Sequence, residues 1–343
     1  MKKLLNTLYV TTEDAYLSLN GETVEVNFPG NIKKNIPLHT LSSIVCFSYK
    51  GASPALMGKC AEEQIHLSFY SPRGRFLANV LNNENGNVLL RRTQYRIADS
   101  PNKSLDIAKN MIYGKLYNSK YVLHRVLRDH PLQVDCSAIE KSCKNISQYM
   151  KDIQNADSPD TLRGIEGNSA SEYFSVFDEM ILQNKSDFKF KGRNRRPATD
   201  NVNALLSFAY SLLANECASA LQGVGLDPYV GFLHTDKPGR KSLALDLEEE
   251  LRSVFADRFV LYLINNRILN GNDFDNQESG AVLLTDDGRK RFISEWQKRK
   301  KEIITHPFLE EKIEWGLVPH IQALLLSRFL RGDIDGYPPF FWK

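Results

Sequence analysis

The spacing of apolar residues changes character once along this chain, and that change sets its fold class. Up to about Val80 the apolar residues fall in short β-type runs: Ala15 to Leu19, Thr23 to Asn27, Ser43 to Tyr49, Ile65 to Tyr70 and Phe76 to Val80. Runs of this length and composition, bounded by turn residues, read as strands. The first two flank Asn20-Gly21, the pair that suits a two-residue hairpin turn because both central positions need positive φ. One short helix is expected at Pro54 to Glu63, with Ser53 as its N-cap and Pro54 in its first turn. A polar stretch, Leu81-Asn82-Asn83-Glu84-Asn85-Gly86-Asn87, then interrupts the pattern. From about Ile97 onward the spacing is helical. It predicts helices over Ser104 to His130, Cys136 to Ile153, Thr161 to Gln183, Asn201 to Leu221, Ser242 to Asn266, Thr285 to Thr305 and Ile313 to Leu330. The chain therefore reads as α+β, with a strand-rich domain over 1–87 and a mainly helical domain over 88–343.

Size and composition bound the class of protein. A chain of 343 residues has room for two domains with real cores. Apolar content of 42% and charged content of 25% are those of a globular protein and argue against a disordered one. No apolar run approaches the roughly 20 residues that span a bilayer, and Met1 to Thr7 lacks a signal-peptide pattern. Five scattered cysteines without a Cys-x-x-Cys pair read as reduced thiols. A cytoplasmic protein without a membrane anchor is expected. The aromatic tail Tyr337 to Trp342, interrupted by two prolines, cannot be helical and reads as a segment docked on the body or on a partner.

One carboxylate stands out in the helical part. On a helix over 162–181, Glu166 projects from the middle of a broad stripe of Leu162, Ile165, Ala170, Tyr173, Phe174, Val176, Phe177, Met180 and Ile181. An ionised carboxylate buried without a partner costs several kcal/mol, or else it takes up a proton. A metal ion opposite Glu166 would turn that cost into function, while an arginine or a backbone amide would be a purely structural partner. The neighbours Gly164, Gly167, Ser169 and Ala170 are small enough to admit an ion, a phosphate or another segment.

Two further segments carry metal-ligand chemistry. His234 ends the short apolar run Val230 to Leu233 and opens a loop rich in Pro and Gly. Asp246 and Glu249 are i,i+3 neighbours on a helix starting near Ser242, so both can face one site. Periodicity alone turns Glu249 away from the apolar stripe, toward solvent. Carboxylates with one imidazole form an oxygen-rich set that suits Mg²⁺ or Mn²⁺ better than zinc. Net charge is only +3, yet Lys185, Lys189, Lys191, Arg193, Arg195 and Arg196 cluster within twelve residues opposed only by Asp187. In a loop such forks suit phosphate oxygens, although a solvated basic face has the same look.

Taken in order, Gly164-Ile165-Glu166-Gly167, the stretch Arg193-Asn194-Arg195-Arg196-Pro197 with Asp200 and Asn203, Gly231-Phe232-Leu233-His234, and Ser242-Leu243-Ala244-Leu245-Asp246-Leu247 leading to Glu249 resemble the CRISPR-associated integrase family. This is the larger of the two proteins shared by most CRISPR adaptation systems, and the resemblance covers essentially the whole chain. It implies a homodimer in which the N-terminal β domains contribute to the interface, assembled around a small ferredoxin-like partner protein. It implies metal ligation by Glu166, His234 and Glu249, where many members have Asp at the last position, with Asp246 one turn earlier as a supporting group or alternative ligand. Double-stranded DNA would lie against Arg193, Arg195, Arg196 and Lys237. The implied reaction is direct transesterification, in which the 3′-hydroxyl of a short DNA fragment attacks a phosphodiester at the repeat edge, with nuclease activity as related chemistry. Two competing readings use the same residues: a non-catalytic DNA-binding scaffold of an adaptation complex, and a metal hydrolase of small phosphoesters that leaves the basic loop without a purpose.

Overall fold

The computed structural model describes residues 6–63, 65–71, 76–80, 87–195 and 197–342. In chain order the elements are β1 (Thr7–Val10), β2 (Tyr16–Asn20), β3 (Thr23–Phe28), β4 (Ile32–Pro37), β5 (Ser43–Cys46), α1 (Pro54–Glu62), β6 (His66–Tyr70) and β7 (Phe76–Val80). There follow α2 (Val88–Ala98), α3 (Pro101–Asp129), α4 (Cys136–Asn155), α5 (Pro159–Ser175), α6 (Asn201–Gly223), α7 (Ser242–Glu249) and α8 (Arg258–Asn265). The short strands β8 (Phe274–Asn276) and β9 (Val282–Leu284), α9 (Asp286–Lys300), β10 (Ile303–Thr305), β11 (Lys312–Glu314) and α10 (Val318–Leu330) complete the chain. The architecture is α+β, strand-rich first and mainly helical after, as the spacing predicts.

Two compact units emerge. The first comprises Met1–Asn85 with Leu284–Glu302 and Glu314–Leu317, and the second holds the remainder. In the first, β2 and β3 form the expected hairpin, but its turn lies one residue later: Asn20 still pairs with Thr23, so Gly21 and Glu22 make the turn, and of the two only Gly21 has positive φ, at +57°. The antiparallel meander β2-β3-β4 and the mixed sheet β1-β5-β6-β7 share one core, in which Leu17, Val24 and Val26 of the meander meet Ile44, Cys46, Leu67 and Phe69 of the other sheet. Ser53 caps α1 through its hydroxyl, which accepts from the Leu56 amide, and Leu56 and Cys60 turn into the same core. Strand β4 escapes a sequence reading because Lys33, Lys34 and Asn35 are exposed on the meander's edge, where charge guards against unwanted pairing. Helix α9 belongs to this unit, and its Arg289 guanidinium lies 5.7 Å from the centre of the Phe47 ring.

The second unit is where the predicted helix boundaries shift. The helix expected over 161–183 ends at Ser175 and passes into a 3-10 turn, Phe177–Met180. There Phe177 packs against Phe190 with ring centres 5.0 Å apart. The helix expected over 242–266 is broken into α7 and α8 by a π-helical turn, Arg252–Asp257. The spacing over 285–305 and 313–330 blends the ends of α9 and α10 with the small strands β10 and β11. Helix α2 went unpredicted because only Leu90 and Gln94 of its eleven residues are buried, too few to make an apolar stripe. Helix α6 corrects the expectation that no segment has spanning length: its 23 residues are apolar enough to cross a bilayer, yet 61% of that apolar window is buried within the protein. The five cysteines are all free. Part of the expected linker, Leu81 to Gly86, lies outside the described residues.

Candidate active site

All the residues singled out for chemistry lie in the helical unit. Ser158 caps α5 by accepting from the Thr161 amide, and Pro159 fits the first turn, where no amide donor is needed. The buried residues of α5 are Leu162, Ser169 and Tyr173, which with position 166 follow the i, i+4, i+7, i+11 rhythm of one face. Glu166 therefore does sit on the inward face, with about a quarter of its side chain (26%) still accessible. What stands opposite it is Lys115 of α3, whose ammonium pairs with Glu166 Oε1 and lies 2.8 Å from Glu249 Oε2.

Glu249 is the residue the sequence misplaces. It is 2% exposed, and α7 is buried at every position except Leu245. Packing against both α3 and α6 leaves this short helix no solvent face, so a stripe-based reading fails there. Its charge is met from two sides: Arg252 Nη1 donates to Oε1 at 2.6 Å and Lys115 attends Oε2. Burial pushes the Glu249 carboxyl up, but Arg252 and Lys115 outweigh it and hold the group well below the usual carboxylate range. Lys115 is the mirror case, since burial opposes its charge while Glu249 and Glu166 raise its pKa.

His234 is held by Asp246. The two meet Nδ1 to Oδ1 at 2.6 Å, and Asp246 also accepts the backbone amides of Phe232 at 2.6 Å and of Leu233 and His234 at 3.0 Å each. A carboxylate facing Nδ1 fixes the proton there and leaves Nε2 as the nitrogen able to ligate. Both oxygens of Asp246 are thus occupied by the loop that carries His234, which makes this α7 residue a support for the imidazole. Gly231 is required by this geometry: a Cβ there would lie 2.8 Å from Asp246 Oδ2 and 2.9 Å from the His234 carbonyl oxygen. Gly164 and Gly167, by contrast, face open space.

The basic loop is knitted to the start of α6. Asp200 caps that helix through the Asn203 amide, and Asn203 Oδ1 accepts from the Asn194 amide and from Arg193 Nη1 at 2.7 Å. Arg193 Nη2 donates to Ser207, and its guanidinium lies 5.4 Å from the centre of the Tyr210 ring. Arg193 is therefore committed inside the protein. Arg195 is exposed and, with Lys115, Ser169, Tyr210, Arg252 and Ser253, lines a cavity of about 30 Å³. Lys237 is exposed in the loop before α7. Arg196 lies outside the described residues.

Sequence reasoning missed Lys115 and Arg252. For Lys115 the signal existed and was the same as for Glu166: a lone charge among Met111, Ile112, Leu116 and Ser119, all buried on α3. Arg252 gave none, because its partners Glu248 and Glu249 look like any i,i+4 and i,i+3 surface pairs. Among the described residues no three His, Cys, Asp or Glu side chains are gathered tightly enough to hold one ion. Lys115 occupies the space between the two glutamates.

Fold and site together define a two-unit α+β protein whose helical unit brings an acid from α5 and an acid from α7 to one ammonium, with a carboxylate-held imidazole whose charge acts on the second acid. The family model described as CRISPR associated protein Cas1 matches residues 8–298. The chain is 48% identical over 343 residues to a CRISPR-associated endonuclease Cas1 of Chlorobaculum tepidum, covering all of both chains. This chain belongs to the Cas1 family. Its fold is also that of a casposase bound to integration product (TM-score 0.85, 22% identity, 99% of this chain and 95% of the other). A Cas6-RT-Cas1–Cas2 complex contains the fold as well (TM-score 0.82, 19% identity), with this chain spanning 36% of the matched one.

Proposed function

We propose that this chain is a metal-dependent DNA endonuclease and integrase of CRISPR adaptation, which inserts short DNA fragments into a repeat array using Glu166, His234 and Glu249. The observation that carries this reading is the meeting of Glu166 and Glu249, from separate helices, on one cationic group. Two carboxylates that converge on an ammonium, with an imidazole whose Nδ1 is already engaged by Asp246 and whose charge acts on Glu249, are donors of the kind that suit Mg²⁺ or Mn²⁺. Bound there, such an ion would polarise a phosphodiester and offset the charge that develops on it during displacement.

The chain's own residues do the rest. Asp246 keeps the His234 ring in one tautomer and orientation. Arg252 keeps Glu249 ionised in a buried setting. Arg195 and Lys237, both exposed, contact the DNA backbone together with Arg196, while Arg193 shapes the loop that carries them. In the reaction, the 3′-oxygen of the incoming fragment bonds to phosphorus as the phosphorus–oxygen bond of the repeat strand breaks. The attacking hydroxyl loses its proton, and the departing 3′-oxygen gains one. Water in place of the 3′-hydroxyl gives strand cleavage.

The names of similar proteins support the setting: an endonuclease for the curated relative, an integration product for the casposase and a Cas1–Cas2 assembly for the third. A cytoplasmic homodimer joined through its N-terminal domains, a small ferredoxin-like partner and double-stranded DNA complete the proposal. A second reading, a DNA-binding scaffold without catalysis, draws on the ion pair by which Lys115 neutralises Glu166. Joining of end-labelled DNA to a repeat substrate separates the two. The integrase reading expects product with Mn²⁺, none with a chelator, and none from Glu166→Ala or His234→Ala, both of which keep their DNA affinity. Equal DNA binding with and without metal, and product in neither case, would leave the scaffold.

A further inference from the structure

The segment that follows α10 has no regular structure, yet it is built into the helical unit. Tyr337 and Phe340 are buried, and its polar groups converge on Glu250, the residue directly after Glu249. Tyr337 Oη donates to Glu250 Oε1 at 2.6 Å, and the Phe340 amide donates to Oε2 at 2.7 Å. Gln322 of α10 donates to the same oxygen at 2.9 Å. Asn118, one turn beyond Lys115 on α3, grips the other side. Its side-chain nitrogen donates to the carbonyl oxygens of Glu250 and Phe340, each at 2.7 Å, and its oxygen accepts from the Trp342 amide at 2.9 Å. Gly114 makes room for this strap, since a Cβ there would lie 2.9 Å from Pro339 Cβ.

This arrangement exceeds what packing needs. An apolar side chain at position 250 would avoid the desolvation of a buried carboxylate and would pack as well against the rings of the tail. Instead, both the side chain and the carbonyl of residue 250 are fixed where α7 gives way to the π-helical turn. One flank of that point carries Glu249. The other contact, through Asn118, reaches the helix turn that carries Lys115. Hydrogen bonds to a buried carboxyl are directional and costly to leave unmade, so they transmit position more stiffly than ring contacts do.

We propose that the strap Tyr337–Trp342 is a positioning device for the active site: Tyr337, acting through Glu250, sets the Glu249 carboxylate against Glu166. The inference rests on the reading of Glu166 and Glu249 as a metal-binding pair. The test uses the full chain and three variants, each kept well below its melting temperature. Tyr337→Phe removes one hydroxyl and keeps the ring. Phe341→Ala removes a ring whose aromatic contacts among the described residues are Tyr113 and Tyr117, with centres 5.9 and 4.9 Å away, and so loosens the tail without removing a donor to Glu250. Glu166→Ala tests the metal reading itself.

Mn²⁺ binding is read from the spectrum of the free ion, together with DNA affinity, joining rate and melting temperature. Tyr337→Phe is expected to weaken Mn²⁺ binding at least tenfold and to lower the joining rate at saturating DNA, with DNA affinity within twofold of the parent. Phe341→Ala is expected to lower the melting temperature and leave Mn²⁺ affinity unchanged. If Tyr337→Phe binds Mn²⁺ like the parent, or if both tail variants weaken it equally, the positioning role is overturned. Should Tyr337→Phe fail to fold, Gln322→Met, which deletes another donor to Glu250, is judged by the same outcomes. Undiminished Mn²⁺ binding by Glu166→Ala would instead overturn the metal reading on which the inference stands.

Discussion

Asp246 Oδ1 lies 2.6 Å from His234 Nδ1, and the same carboxylate gathers three successive backbone amides from the loop that carries the histidine. An aspartate so placed fixes both the ring and its loop. Asp246→Asn turns an amide nitrogen toward groups that are themselves donors. Removing such a supporting partner typically costs ten- to a hundredfold in metal affinity or activity. That loss is the expected outcome, measured as Mn²⁺ affinity and joining rate, with DNA affinity preserved.

Lys115 supplies the cation that separates Glu166 from Glu249. Lys115→Met leaves Glu166 without its partner, while Arg252 still attends Glu249. Breaking a buried pair on one side costs about 3 kcal/mol or more. Without metal the variant should melt markedly below the parent. Added Mn²⁺ should recover more of that melting temperature than it adds to the parent, because the ion binds only the folded state. Melting curves with metal and with chelator read both effects.

Two glycine substitutions should move stability in opposite directions. Gly231→Ala pushes a methyl group against Asp246 and the His234 carbonyl, and crowding of this kind costs about 1–3 kcal/mol. Gly167→Ala sits in α5 with no atom within 4 Å of the new Cβ, so the gain in helix propensity should add about 0.5–1 kcal/mol. Urea unfolding gives both values. If DNA lies over that open face of α5, Gly167→Ala should also reduce joining while it stabilises the fold.

Asp257 gives a pH dependence with a definite sign. Burial pushes its carboxyl up to about 6, against the hydrogen bond that the Tyr210 hydroxyl donates to it at 2.5 Å. The folded protein therefore holds a proton between about pH 4 and 6 that the unfolded chain has released, and stability falls as pH rises through that window. A shift of this size corresponds to about 3 kcal/mol. Asp257→Asn should remove this component, so that its unfolding free energy declines less than the parent's between pH 4 and pH 7.

The β2–β3 hairpin, though not the residue at which it turns, the Ser53 cap and the inward face of α5 were legible in the sequence because each depends on neighbours within one or two turns. The aromatic tail was legible as a docked segment for a similar reason, since its prolines forbid a helix and its rings need cover. Glu249 was not. Its burial comes from α3 and α6, which close over α7 from distant parts of the sequence, and its compensation comes from Arg252 and Lys115. Lys115 could have been found by applying to α3 the argument that singled out Glu166. The break between α7 and α8 left no mark, because a π-helical turn keeps the residue spacing nearly helical.

The return of α9 to the strand-rich unit has a consequence for how the protein is made. Phe292 and Trp296, both fully buried, enter from residues 286–300. The first 85 residues leave the ribosome long before those side chains exist. Strand pairing can begin early, but a segment cut after residue 87 would present the surface that α9 otherwise covers. Completion of the strand-rich unit therefore waits on translation of residues 286–300.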